Sequence, residues 1–387
     1  MGATDIAFPE REKILENIVT AMRAGVHAAV LRAVPKKYAG ARQELLSIAR
    51  ARIRNTREGK LPEGFLFTEE DYRFATHQSV AAWRAQRLAG RHVLDCACGI
   101  GMQSIAFAAT CKRVIANDLD ARKVAYAKEN AKTAARMAGD SAVLANIEFH
   151  TGDGYALAQK TKVDTVFCDP ERAASEETRD ASRTSPNVLA LAAACPNLAV
   201  ELPPQVRDMP IAGEREYLSL DGKLSRLTVY TGALAEDAAS AVLLPSGHRI
   251  AGKPSSFSSM GKRQDARTHL CEVDPAVVRA GLISVAVAAA GSHAGIARAE
   301  IDKRTLLWSD APLPAPVFTT YKVVASTDRD GLSAALRKAG AGSVLIRYAI
   351  APGDYWKERK TLEAGLDGDK VIVIFCSEGK YHLCSAS

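Results

Sequence analysis

The chain has 387 residues, 47% of them hydrophobic and 25% charged, with a formal net charge of +7. That length supports two or three domains with a buried core, and the balance is ordinary for a soluble globular protein. No run of about 18 apolar residues marks a membrane span, the opening MGATDIAFPEREK lacks an apolar signal core, and the eight cysteines include no CxxC pair; the expectations are a cytoplasmic protein with reduced thiols, no membrane contact and no metal.

In chain order, residues 1–70 read as a basic helical module. Between Arg11 and Lys60, twelve Lys or Arg stand against four Glu, a local excess of +8 that leaves the remainder of the chain close to neutral. Lys36, Lys37, Arg50, Arg52 and Arg54 lie among apolar residues at helical spacing (Ile14, Ile18, Met22; Leu45, Leu46, Ile48, Ile53). Such a surface can neutralise phosphates and attract a polyanion. The competing reading is a helical cap whose charged face stays in water. Residues 71–245 alternate strand-like and helix-like segments: His92–Cys96, Ile105–Ala109, Arg113–Asn117, Ala121–Met137, Ile147–His150, Val163–Cys168, Asn197–Glu201 and Ser225–Thr231. That alternation predicts a doubly wound parallel sheet in an α/β domain. Residues 246–316 read as a linker and connecting region, beginning with the Gly-, Pro- and Ser-rich stretch Pro245–Lys262. Residues 317–387 predict a small α+β domain, with strands at 317–325, 343–348 and 370–376 and helices at 331–338 and 355–362.

The stretch VLDCACGIGMQSIAF, Val93 to Phe107, holds the first chemical signal. An apolar strand ends at Asp95, and Gly99 and Gly101 let the backbone turn sharply and approach a ligand before a helix begins near Gln103. A glycine turn of this kind is not specific alone, and a dinucleotide site is one reading of it. Three further strands then end in acids. Asp118 at the tip of the second can accept ribose hydroxyls. Asp153, in Thr151-Gly-Asp153-Gly154-Tyr155, can accept from an adenine amino group, with the aromatic beside it. Asp169 opens Asp169-Pro170-Glu171-Arg172 after the fourth. A single strand-end Asp is usually a helix cap, but four in this order place a row of carboxylates on one sheet edge.

This set, Asp95-Cys96-Ala97-Cys98-Gly99-Ile100-Gly101, Asn117-Asp118, Gly152-Asp153 and Asp169-Pro170, resembles the class I S-adenosylmethionine-dependent methyltransferases over about 150 residues. The resemblance implies a Rossmann-like sheet and cofactor contacts at Asp95, Cys96, Ala97, Gly99, Gly101, Asp118, Leu119, Asp153 and Gly154. Asp95, Gly99 and Gly101 would cradle the methionine moiety, Asp118 the ribose and Asp153 the adenine. Ala97 departs from the pattern, standing where the family usually has its first turn glycine. The flanks, Phe67 to Arg84 upstream and Leu270 to Arg347 downstream, are similar to methyltransferases carrying a C-terminal THUMP-like domain. By analogy with true THUMP domains, that implies a role in docking tRNA.

In methyltransferases acting on nitrogens, an Asp/Asn-Pro-Pro-aromatic turn holds the target base beside the methyl group. Here Asp169 and Pro170 keep the pattern, while Glu171 and Arg172 replace the second proline and the aromatic. The Arg172 guanidinium can stack on a base or bind a phosphate or guanine edge; an internal ion pair with an acid such as Glu201 is the alternative. Asp169, Pro170 and Arg172 are thus the expected catalytic residues. His77 reads either as a neighbour of the cofactor or as a helix-surface residue. The functional expectation is methyl transfer from S-adenosylmethionine to a purine (guanine) base nitrogen of structured RNA, tRNA above all, with Lys36, Lys37, Arg50, Arg52 and Arg54 on the RNA. A small-molecule or protein methyltransferase, or a catalytically silent RNA-binding protein of the same fold, are the alternatives.

Overall fold

The computed structural model describes residues 2–172, 183–206, 210–257, 268–291, 296–301, 304–377 and 379–386. The chain divides into two compact units, one of residues 1–213 and 228–235, the other of 214–227 and 236–387.

The first unit opens with helices α1 (Phe8–Arg23), α2 (His27–Arg32), α3 (Arg42–Glu58), α4 (Glu69–Phe74) and α5 (Gln78–Arg87). There follow β1 (His92–Asp95), α6 (Met102–Ala108), β2 (Arg113–Asp118), α7 (Ala121–Ala138), α8 (Ala142–Ala145), β3 (Ile147–Thr151), α9 (Gly154–Lys160) and β4 (Thr165–Cys168). A two-residue strand β5 (Glu171–Arg172) pairs antiparallel with β6 (Thr184–Ser185), and α10 (Val188–Ala194) leads into β7 (Leu198–Leu202). The strands β7-β4-β1-β2-β3 lie side by side in that order, all parallel, with Asp95 in register with Phe167 and Asp118 with Thr151. The central strands are buried on both faces, which is why HVLD, RVIAND and TVFC read as short apolar runs and not as alternating patterns. The α/β class and the doubly wound sheet expected from the alternation are what the chain forms.

Helix α7 illustrates how local sequence sets these elements. Asp120 caps its first turn by accepting from the Arg122 amide, Val124, Ala127, Ala131 and Ala135 face inward, and Gly139 at φ 63° ends it in the left-handed conformation. The basic helices are fastened to this frame. Ile14, Leu15, Ile18, Leu45, Ile48, Phe65, Phe67 and Tyr72 share one apolar cluster with Ile100, Ile105, Tyr126 and Ala131. Arg122 donates two hydrogen bonds to Asp71 at 2.8 and 3.0 Å, and buried Asn130 bonds the backbone of both Leu66 and Ile100.

β8 (Glu214–Leu220) and β9 (Lys223–Tyr230) come next, with Thr228–Tyr230 counted in the first unit. In the second unit β8 pairs parallel with β10 (Ala239–Leu244), which pairs antiparallel with β11 (His248–Gly252). The chain then runs through β12 (His269–Val273), α11 (Pro275–Ala280), α12 (Ile283–Ala289), β13 (Ala297–Ile301), β14 (Arg304–Ser309), β15 (Phe318–Thr327), α13 (Leu332–Lys338), β16 (Ala341–Ile346), α14 (Tyr355–Glu363), β17 (Lys370–Ser377) and β18 (Lys380–Ala386). A seven-stranded sheet in the order β13-β14-β12-β15-β18-β17-β16 organises it. Residues 246–316, expected as linker and connecting region, therefore contribute β11 and three strands of this sheet. Their strands are short and set among Gly, Pro and Ser, so the turn signals masked them; residues 258–267 lie outside the described part. No helix among the described residues is long and apolar enough to cross a membrane.

Candidate functional site

The strand order reverses between β1 and β4, and in open parallel sheets ligands bind in the crevice at the carboxyl ends where that happens. The turn leaving β1 forms its floor. Gly99 (φ 54°) and Gly101 (φ 86°) both sit in the left-handed region. A Cβ on Gly101 would approach the Ala127 Cβ at 2.8 Å, so this glycine lets the turn pack on α7. A Cβ on Gly99 would meet no protein atom within 4 Å, so the space above it is open to a ligand. Ala97 is not among the residues of positive φ, so the alanine fits this backbone without strain.

The acids converge on this turn. Asp95 is fully buried; its carboxylate accepts from the Ser104 hydroxyl at 2.5 Å and the Ala97 amide at 3.4 Å. Burial pushes its carboxyl up to about 7, reinforced by the charges of Asp169 and Asp118 and opposed by those two hydrogen bonds. Asp118 accepts from the Gly99 amide at 2.8 Å and the Asp120 amide at 2.9 Å; its burial raises its carboxyl above the ordinary value. Asn117 ties the neighbouring turns together, donating to the carbonyls of Cys96 (3.2 Å) and Gly152 (2.9 Å), while its own carbonyl accepts from Cys98. Leu119 is 72% exposed beside Asp118, an apolar surface at the crevice edge. Asp153 caps α9 through the Ala156 amide at 2.9 Å. A Cβ on Gly154 would lie 2.4 Å from the Cys96 carbonyl, so only glycine lets β3's turn close on β1's. The thiols of Cys96, Cys98 and Cys168 are held well above their usual range by burial and act as small apolar groups.

Asp169 and Pro170 follow β4, the in-register neighbour of β1, so they adjoin the Asp95 turn. Glu171 meets the ammonium of Lys123 from the first turn of α7. Arg172 is placed in its backbone only, and its side chain lies outside the described part. Neither expected role for Arg172 can therefore be placed; Glu201 at the end of β7 is paired with Arg84 of α5. Arg84, itself buried, also reaches Gln103 and Thr228, both at 3.3 Å, and lies over the Phe167 ring. His77 caps α5, accepting from the Ser79 amide at 3.1 Å.

The cations expected on RNA are placed on the helices of the same unit. Lys37 pairs with Glu10, Arg50 with Glu69 and Arg54 with Glu58, all near water, and Lys36 is exposed. Arg52 turns inward, bonding Glu12 and the carbonyls of Gly64 and Phe65. Sequence reasoning missed Arg84 and Lys123. Arg84 left a signal, a single cation inside Val80-Ala-Ala-Trp-Arg84-Ala; Lys123 left none beyond its distance from Asp118.

With the geometry in place, the comparisons are specific. Residues 93–190 match the family model described as "Methyltransferase domain". Two uncharacterized S-adenosylmethionine-dependent methyltransferases from two strains of Mycobacterium tuberculosis are each 41% identical to this chain over 66 residues. That stretch is 17% of this chain and spans 18% of the relatives' own length. A crystal structure from Porphyromonas gingivalis, assigned as a methyltransferase, covers 92% of this chain and 92% of its own at 15% identity and a TM-score of 0.68, a likeness of fold. Residues 93–190 are thus similar to a methyltransferase domain, set in a chain whose fold resembles that of the Porphyromonas gingivalis protein.

Proposed function

We propose that this chain is an S-adenosylmethionine-dependent methyltransferase and that its acceptor is a purine base nitrogen of structured RNA. The observation that carries the reading is the row of Asp95, Asp118, Asp153 and Asp169 on adjacent parallel strands around the open face of Gly99. The residues fit the cofactor. Asp118 keeps acceptor positions for two ribose hydroxyls beyond the two amides it already holds. Leu119 offers an apolar face to the adenine, Asp153 keeps a carboxylate oxygen for its amino group, and Asp95 sets a negative charge near the cationic part.

The cofactor supplies an activated methyl group on a sulfonium, lost to a nucleophile by in-line displacement. The chain's own task is aim and exclusion of water. Asp169 and Pro170 stand at the strand tip beside Asp95, where the carboxylate can accept from an amine of the target and help remove its proton. A ring nitrogen such as guanine N7 needs only to be held. For RNA as acceptor, the support is the +8 excess between Arg11 and Lys60, with Lys36, Lys37, Arg50 and Arg54 at the surface of that module.

The test is incubation of the purified chain with methyl-labelled cofactor and separate RNA, DNA and protein fractions. Label in RNA that is lost on ribonuclease treatment supports the reading. Label in protein or in a small molecule alone would move the acceptor. Cofactor binding with no label anywhere would leave a silent fold.

A further inference from the structure

The ammonium of Lys123 meets the carboxylate of Glu171, joining the first turn of α7 to the residues that follow Asp169. The Lys123 side chain is only 18% exposed, whereas Glu171 is 62% exposed. A largely buried ammonium needs an anion beside it. Asp71 and Asp118 also act on this charge, but Asp71 is committed to Arg122 through two hydrogen bonds and Asp118 to the amides of Gly99 and Asp120. Glu171 is the partner that can leave, because its carboxylate already lies mostly in water.

The pair stands in the crevice. Glu171 acts electrostatically on Asp118, and Lys123 on both Asp118 and Cys98, the residue before Gly99. S-adenosylmethionine carries one anionic group, the α-carboxylate of its methionine moiety, and the acids around the turn repel it. Resting on the cofactor reading above, we propose that Lys123 anchors the cofactor's α-carboxylate and that Glu171 holds this anchor until the cofactor displaces it. The exchange replaces one ion pair by another, so Lys123 stays paired throughout and Glu171 returns to solvent.

The test is calorimetric titration of the full chain with S-adenosylhomocysteine and with methylthioadenosine, which keeps adenine, ribose and thioether but lacks the amino-acid carboxylate. Glu171→Gln removes a competitor and should bind S-adenosylhomocysteine about threefold more tightly, whereas Lys123→Met should bind it about fivefold more weakly, the scale of a partly exposed ion pair. Methylthioadenosine affinity should be the same in all three proteins. Equal affinities for S-adenosylhomocysteine, weakening by both variants, or a shift shared by methylthioadenosine would overturn the assignment. Should Lys123→Met fail to fold, Glu171→Gln at its exposed position still decides. A wild-type chain that binds neither ligand would instead overturn the cofactor reading itself.

Discussion

The amide of Gly99 donates to the carboxylate of Asp118 at 2.8 Å, so the acid at the tip of β2 holds the glycine turn that leaves β1. Asp118 is therefore both a strut of the crevice floor and its best-placed acceptor for ribose hydroxyls. Changes there act on the turn as well as on the ligand.

Asp95 makes the site sensitive to pH. Its carboxyl sits at about 7 in the folded chain against an ordinary 3.8, so the fold binds a proton that the unfolded chain has released. The resulting stabilisation is complete below pH 3.8 and is lost as pH rises through about 7. Thermal melting of Asp95→Asn should show a flatter dependence than wild type between about pH 5 and 8. A cationic cofactor favours the ionised acid, so binding near pH 6 should release a proton. Titrations in buffers of different ionisation enthalpy read that release directly, and its absence would detach Asp95 from the cofactor.

The buried pair Arg84–Glu201 is a stability element with side chains 1% and 3% exposed. Arg84→Met leaves Glu201 charged and buried and should cost ~3–5 kcal/mol in urea unfolding. Pairing it with Glu201→Leu should recover part of that loss, because the carboxylate that Arg84 balances is removed with it.

These cases show where the sequence was informative. The parallel sheet and its acidic tips were legible because buried strands and glycine turns leave local patterns, from Val93–Asp95 to Asp169-Pro170. Gly154 was legible only by resemblance, since its need for a bare backbone comes from Cys96, far away in sequence. The inward turn of Arg52 was not legible because its partner Glu12 is brought to it by tertiary packing, and Arg84 was missed for the same reason, its partner Glu201 being far away in sequence. The strands at 269–309 escaped because each is short and pairs with strands distant in the chain.

The surface cations separate from Arg52, which turns inward and is half-buried. If RNA is the acceptor, neutralising Arg50 and Arg54 should reduce the salt slope of RNA binding by about one unit per residue while leaving the melting temperature nearly unchanged. Arg52→Ala should instead destabilise the fold by ~1–3 kcal/mol, because Glu12 and two carbonyls lose their donor. A salt slope untouched by Arg50 and Arg54 would move the polyanion surface elsewhere.

The turn after β4 is expected to govern transfer more than cofactor affinity. Asp169→Ala should keep cofactor binding within several-fold of wild type and slow single-turnover methylation by about a hundredfold or more, since misplacing a reactant costs more than one contact. Transfer at the wild-type rate would place the chemistry away from Asp169.

The most direct measurement is calorimetric titration of S-adenosylhomocysteine into the wild-type chain and into Asp118→Ala. The wild-type chain should bind one equivalent, and folded Asp118→Ala should lose about 1.5–3 kcal/mol of that affinity, as removal of a charged acceptor does. A wild-type chain that binds no S-adenosylhomocysteine, or a folded Asp118→Ala that binds it unchanged, would contradict the assignment of the row of strand-tip acids to the cofactor.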